Sequence, residues 1–489
     1  MKKLICFLVL TALLLTALSA CKTEKGKDDT SVNSTASSDP NSEYKDDKGK
    51  YRSNLEVVDW KGREFKILVR GESAGTYQSE DFTTESTLYG DLLNDAVQSR
   101  NDYIEEKYNV KLVVYKSNSI DTDFRNEAIA STGLYDAVMP TLAVCAIYAQ
   151  ENYLYDLSDI ENFDIMAPWW DSNATESFSV GGKVFFTTGD ITILNKVNTP
   201  SILFNKAMIS DYGLDNPYEL VKNKQWTYDK MIEMAKAVTQ INNTDLMSQE
   251  NTYGMITATG DALLFYGASG EKICSKDAND YPFLSLGKEK SITVAQKILT
   301  TMQNGEWCVF AQDYPAPIWD NSFATFHEGR ALFRPSAFSA TTKARQRSEL
   351  VFGILPCPLW DDSQEQYYSF CGTSETAGIA IPKSCSDLEF SAYMIEVYAA
   401  EAKNTITPAY YEVNIKGRDV RDDESIEMLD IIFDNIVYDV GEVYNFGKVK
   451  SMFNTLMSER STDIMSRLDS IKDAIEIDIL KTIANYQAD

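Results

Sequence analysis

The chain of 489 residues has a single histidine, His327. Serine and cysteine hydrolases that rely on a histidine base would have to use this one residue. It falls in a helical pattern, FATFHEGRA, and no Gly-x-Ser-x-Gly elbow is present. A histidine-rich metal site cannot be built from one imidazole, and no calcium-loop spacing stands out among the acids. There is no C-x-x-C pair, which argues against a zinc ribbon or a dithiol redox centre. A Walker-type glycine loop and a dinucleotide fingerprint are also missing. Positive charge is scarce, with 46 Lys and Arg against 73 Asp and Glu, a formal net charge of −27. That balance excludes a phosphate-backbone binder, so no nucleic-acid partner is expected. No repeat is found, and no membrane-spanning run follows the first twenty residues. Of the common hydrolytic chemistries, only glycoside cleavage by paired carboxylates stays open, since the two acids can lie far apart in sequence.

What is present begins with an address. Lys2 and Lys3 precede an apolar run, Leu4 to Leu18, too short to span a bilayer and remain there. Leu18-Ser19-Ala20-Cys21 resembles the lipobox of bacterial lipoproteins. The resemblance implies a signal peptide over 1–20, cleavage before Cys21, and an acyl (palmitate-type) anchor on that residue. The stretch after it is polar and poor in large apolar side chains, so 21–61 is expected to be a disordered tether. Six cysteines remain beyond it: Cys145, Cys274, Cys308, Cys357, Cys371 and Cys385. Pairing in an oxidising compartment and free buried thiols are both open.

Past the tether the pattern alternates. Glu64–Val69 and Val110–Tyr115 read as strands, with a helix over Asp91–Tyr108 between them. A helix near Asp123–Ser131 and a strand at Tyr135–Met139 follow. Strand–helix–strand rhythm of this kind builds a parallel sheet, whose ligands collect beyond the carboxyl ends of the strands. That puts Gly71–Gln78 and Pro140–Leu142 near a cleft, with Thr141 at its mouth. The chain is organised around Gly181–Met208. Here Val184–Phe186 and Ile202–Phe204 read as two strands, joined by a polar crossing, Thr187–Pro200, expected to line a ligand cleft. Asp190 belongs to that crossing. The adjacent pair Trp169 and Trp170 either packs in the core or offers flat faces to a sugar ring. Later elements include a helix capped by Thr227, a helix then strand over Ser322–Leu332, strands at Phe352–Pro356 and Gly378–Ile381, and a helical last third.

Several ordered stretches together resemble one family, the carbohydrate-type (family 1) extracellular solute-binding proteins of bacterial ABC importers. They are Gly182-Lys-Val-Phe-Phe with Gly189-Asp190, Ile202-Leu-Phe-Asn-Lys, and Asn216-Pro-Tyr-Glu-Leu-Val with Trp226-Thr-Tyr-Asp-Lys-Met. Phe326-His-Glu-Gly-Arg-Ala-Leu-Phe, Phe352-Gly-Ile-Leu-Pro-Cys-Pro and Gly378-Ile-Ala-Ile-Pro complete the set. The resemblance implies an α/β, two-lobed periplasmic-binding-protein-like type II fold. Each lobe is then a mainly parallel sheet flanked by helices, with hinge crossings between lobes. Lobe 1 is expected at 62–196 plus 377–410, and lobe 2 at 197–376 plus 411–489 with the C-terminal helices. It further implies a monomer anchored outside the membrane, no cofactor, no metal and no catalysis. Such a protein captures a sugar or oligosaccharide by hinge closure and hands it to an ABC permease. By position in the matching motifs, Asn198 and Thr199 face ligand and Phe338 stacks on it. Thr141, Trp169, Trp170 and Asp190 are added from residue chemistry. A surface-anchored glycoside hydrolase and an adhesive or sensor-coupled lipoprotein are the competing readings.

Overall fold

The run Phe65–Val69 carries apolar side chains on both faces, so it is stable only inside a sheet covered on both sides. A computed structural model of the protein places it there. The structure describes residues 39–341, 344, 350–416 and 423–488. The chain divides into two units, Met1–Glu43 and Tyr44–Asp489. Of the first, only residues 39–43 are described. The expected signal peptide and the lipidated Cys21 lie outside the described residues.

In the second unit, strands β1 (Arg63–Arg70), β2 (Val110–Ser117) and β3 (Ala137–Met139) form a parallel sheet in the order β2-β1-β3. The return segment at Gly378–Ile381 extends it by single antiparallel bridges, Val138 to Ala380 and Ile379 to Thr187. A second sheet holds β4 (Pro200–Asn205), β5 (Tyr253–Thr257), β8 (Cys308–Phe310), β9 (Ala331–Ala337) and β10 (Phe352–Leu355), in the order β10-β4-β9-β5-β8. Here β5 pairs in parallel with β8 and β9, whereas β4 runs antiparallel to β9 and β10. A hairpin of β6 (Cys274–Lys276) and β7 (Pro282–Leu284) stands apart. Helices flank both sheets. Among the described residues no helix is long and apolar enough to cross a membrane.

Local signals explain most element ends. Thr227 caps the helix Tyr228–Val238 by accepting from the Lys230 N–H at 3.2 Å. Gly329, at φ +76°, stops the helix Ile318–His327 just before β9. Two expectations differ from the structure. Val184–Phe186 is not a strand; it runs as irregular chain between single bridges at Lys183 and Thr187, its apolar side chains buried. From Tyr44 onward the expected tether is laid on the first lobe. Tyr44 donates to Asp164 at 2.7 Å, and Tyr51 exchanges two hydrogen bonds with Asn404 at 2.9 and 2.7 Å. Trp60 packs edge-on against Phe390 and Tyr393. The three aromatics supply the apolar contact that the polar average of this stretch conceals.

The sheets are linked by the segment leading into β4, by the residues after β9, and by Cys371–Ala377. The helix Ile464–Gln487 ties both halves from one side. Its Asn485 donates to the Gln150 carbonyl at 2.8 Å, and Gln487 donates to the Tyr281 hydroxyl at 2.7 Å.

Candidate ligand-binding cleft

Two adjoining cavities, about 700 and 470 Å³, lie where the sheets meet the crossings and share Asp261, Ala337 and Glu375 as lining. The first sheet contributes the loop after β1, through Thr76 and Tyr77, and the helix after β3, through Ala143 and Ile147. Of the two loops expected near a cleft, Gly71–Gln78 lines it through Thr76 and Tyr77, whereas Pro140–Leu142 stops one residue short of the lining residue Ala143. From the second sheet come the start of the helix Asp261–Ala268, the face Trp319–Phe323 of the helix Ile318–His327, and the end of β9. The floor includes Asn198, Pro200 and Gly372. A separate groove of about 730 Å³ lies between the β6–β7 hairpin and the helix Ile464–Gln487, with no residue of the crossings in its wall.

Trp319 is the cleft's large exposed aromatic, 54% accessible, and Phe323 follows it one turn later on the same helix face. An indole left in water at the wall of a cavity has a flat apolar face to offer a ring. Polar groups surround it, and several are already matched. Arg70 holds Glu375 at 2.6 Å, and Lys450 holds Glu442 at 2.5 Å. Tyr77 and Ser339 meet at 3.3 Å across the space between the β1 loop and the chain after β9. Asp261 accepts from the Thr257 hydroxyl at 2.5 Å and the Ala258 N–H at 2.8 Å; burial pushes its carboxyl up from the ordinary value.

The residues expected at the site are distributed otherwise. Asn198 is at the cleft, but its amide donates to the Gly372 carbonyl at 2.7 Å and to Thr376 at 3.0 Å, clamping two crossings together. Thr199 is fully buried and donates to the Asn195 carbonyl at 2.7 Å. Thr141 caps the helix Leu142–Gln150, two residues before the lining residue Ala143. Asp190 is buried among three partners, Lys196 at 3.3 Å, Lys403 at 2.9 Å and Thr407 at 2.7 Å. Trp169 and Trp170 are core residues. Trp169 meets Tyr44 edge-on, and Trp170 stacks on Phe163 and donates to Glu396 at 3.1 Å. Phe338 is wholly buried against Phe433. These side chains bond or pack within the protein: Asp190, Asn198 and Thr199 of the crossing through hydrogen bonds and ion pairs, and Trp169, Trp170 and Phe338, outside the crossing, in the core. Trp319 escaped notice because its neighbours, IWDNSF, carry no signal beyond a helical period. That this Trp is exposed at the wall of a cavity is visible only in three dimensions.

The described cysteines are all unpaired, and Cys371 sits at the crossing beside Thr376 at 3.2 Å. No group of acids, cysteines and histidine suited to a metal occurs among the described residues.

No protein-family model matches the chain, and no curated protein matches it by sequence. Solved structures do. A cyclo/maltodextrin-binding protein complexed with maltotetraose superposes with a TM-score of 0.55 at 14% identity, covering 86% of this chain and 98% of that one. The apo form of RafE from Streptococcus pneumoniae gives 0.54 at 12% identity, over 86% and 98%. The ABC substrate-binding protein Lmo0181 from Listeria monocytogenes, in complex with cycloalternan, gives 0.51 at 13% identity, over 86% and 99%. The fold is thus the two-lobed α/β architecture of periplasmic-binding-protein-like type II, with helices flanking each sheet and a cleft between lobes.

Proposed function

We propose that this chain is an extracytoplasmic receptor that captures a carbohydrate, most simply an oligosaccharide, between its lobes and presents it to an ABC permease. The observation that carries the reading is the exposed Trp319 standing in a cleft between two sheets, on a fold whose solved neighbours include sugar complexes. An aromatic platform ringed by hydroxyls, amides and carboxylates suits a sugar's apolar ring face and its hydroxyl edge. Closure by hinge motion follows from contacts on both lobes at once. In this reading lobe 1 is 62–196 plus 377–410 and lobe 2 is 197–376 plus 411–489. Attachment to the membrane is through acylated Cys21, and the molecule acts as a monomer. The reading contains no catalytic step; of the cleft's carboxylates, Glu375 and Glu442 are held in ion pairs.

Thermal-shift screening followed by calorimetry against neutral and acidic oligosaccharides tests it. A ligand at 100 times its Kd stabilises by about 2.7 kcal/mol, which a melting curve resolves. No shift with any oligosaccharide would reject the reading, and release of cleaved sugar would replace it with a hydrolase.

A further inference from the structure

Four arginines are buried among the described residues, and three of them have close partners. Arg70 pairs with Glu375 at 2.6 Å. Arg100 donates to the Asp81 carbonyl at 2.6 Å and to Asn101 at 2.9 and 3.2 Å, between the rings of Phe82 and Tyr398. Arg330 pairs with Glu328 at 2.6 Å and donates to the Ser248 carbonyl at 3.0 Å. The fourth, Arg334 on β9, differs. It is 5% exposed, and its hydrogen bonds among the described residues are two long contacts of 3.4 Å to Ser322. Its Nε is buried without a partner, and it makes no ion pair among the described residues. Asp261 is the carboxylate whose field reaches it, but that group spends an oxygen on Thr257 and Ala258. A guanidinium stays charged in any protein environment, so burying one with so little compensation is costly.

Arg334 does not lie deep in a lobe. It lines the cleft, with its guanidinium 4.5 Å from the ring centre of Phe323, next to the Trp319 platform. The planar fork matches a carboxylate through two parallel hydrogen bonds. A uronic acid in its pyranose form, with one face covering an indole, carries the carboxylate on C5 at the ring's edge. We propose that the cleft selects acidic carbohydrate, an oligosaccharide with a uronic-acid residue whose carboxylate pairs with Arg334. The inference rests on the carbohydrate reading above. It also gives the cation a purpose: a chain with net charge −27 repels anions at long range, so an acidic ligand needs a local positive group.

The test uses acidic oligosaccharides from pectin, alginate, glucuronoxylan and hyaluronan, each beside its carboxyl-reduced, neutral counterpart. Calorimetry is done with the wild-type protein, so no variant has to fold for the answer to be read. At least one acidic member is expected to bind tenfold or more tightly than its reduced partner, with affinity falling as salt rises. In Arg334→Gln, checked for folding by its melting curve, that preference shrinks to near unity, and Arg334→Lys keeps part of it. Equal affinity for acidic and reduced members, or a neutral sugar as the tightest ligand with R334Q unchanged, overturns the inference and leaves the carbohydrate reading standing. Binding of neither set removes both.

Discussion

The contrast between Trp319 and the pair Trp169–Trp170 gives the sharpest test. All three are tryptophans in stretches of similar composition, yet one is 54% exposed and the others are 1% and 5% exposed. Truncating Trp319 to Ala removes a side chain that packs little in the free protein. The expected change in stability is within about 0.5 kcal/mol, the usual range for surface sites. Binding should suffer. A sugar face covering roughly 100 Å² of indole, at about 25 cal/mol per Å², contributes about 2.5 kcal/mol. That is a loss of roughly 70-fold in affinity. Trp170→Ala has the opposite signature. It empties a core site stacked on Phe163 and strands the buried Glu396, so stability should fall by about 3–5 kcal/mol. At temperatures where the variant is still folded, its Kd should stay near the wild-type value. Urea denaturation and calorimetry on the same preparations separate the two effects. Unchanged affinity in Trp319→Ala, alongside weakened binding in a folded Trp170→Ala, would show that the platform has been assigned to the wrong tryptophan.

Three further outcomes follow from buried groups. Burial raises the Glu396 carboxyl to about 8, so the folded state holds a proton that the unfolded chain releases near the ordinary value of 4.5. Stability from this group is therefore complete below about pH 4.5 and is lost as pH rises toward 8, amounting to about 3 kcal/mol by pH 7. Glu396→Gln keeps an acceptor for Trp170 and should flatten the denaturation midpoint between pH 5 and 8; an unaltered pH slope would mean that Glu396 is not the group responsible. Asp190→Asn leaves Lys196 and Lys403 facing each other without a carboxylate, and chemical denaturation should register a loss of about 3–5 kcal/mol. Finally, five of the six described cysteines are buried, and burial pushes their thiols up, so a thiol reagent should leave them untouched in the native protein. Cys385 alone is partly exposed and should react slowly, with all six reacting in denaturant; a sub-stoichiometric count there would indicate a disulfide.

The sequence was informative wherever a periodic apolar pattern fixes an element. Phe65–Val69, Val110–Tyr115, the helix ending at Tyr108 and the Thr227 cap all appear within a residue or two of expectation. Gly329 marked the turn into β9 because a left-handed residue was needed there. Where the pattern misled, tertiary burial had overridden it. Val184–Phe186 has a strand's composition but lies between bridges rather than in a ladder, since the neighbouring sheet position is taken by Gly378–Ile381. The candidate cleft was legible as a region and not as residues. The loop carrying Thr76, and the chain just before Ala143, could be placed by the rule that clefts open beyond strand ends. Exposure decides which polar or aromatic side chain faces the cavity, and no one-dimensional pattern encodes it.

The fate of the polar crossing explains how such a cleft can change its ligand while keeping its motion. Thr192 donates to Asp81 at 2.8 Å, and the Ile193 N–H donates to the other oxygen of the same carboxylate at 2.8 Å. Asn198 and Thr376 converge on the Gly372 carbonyl, and Asp190 ties the crossing to Lys403 on the helix Leu388–Asn404. Every one of these bonds joins protein to protein, and each buried group left unpaired would cost about 1–3 kcal/mol. The crossing is therefore constrained by its own satisfaction and has little freedom to adapt to a solute. On the function proposed above, recognition falls to side chains such as Trp319 and Arg334, which line the cleft and take no part in that network. Substitutions among them alter what is bound and leave the hinge as it is, whereas substitutions in the crossing disturb stability first and affinity only as a consequence.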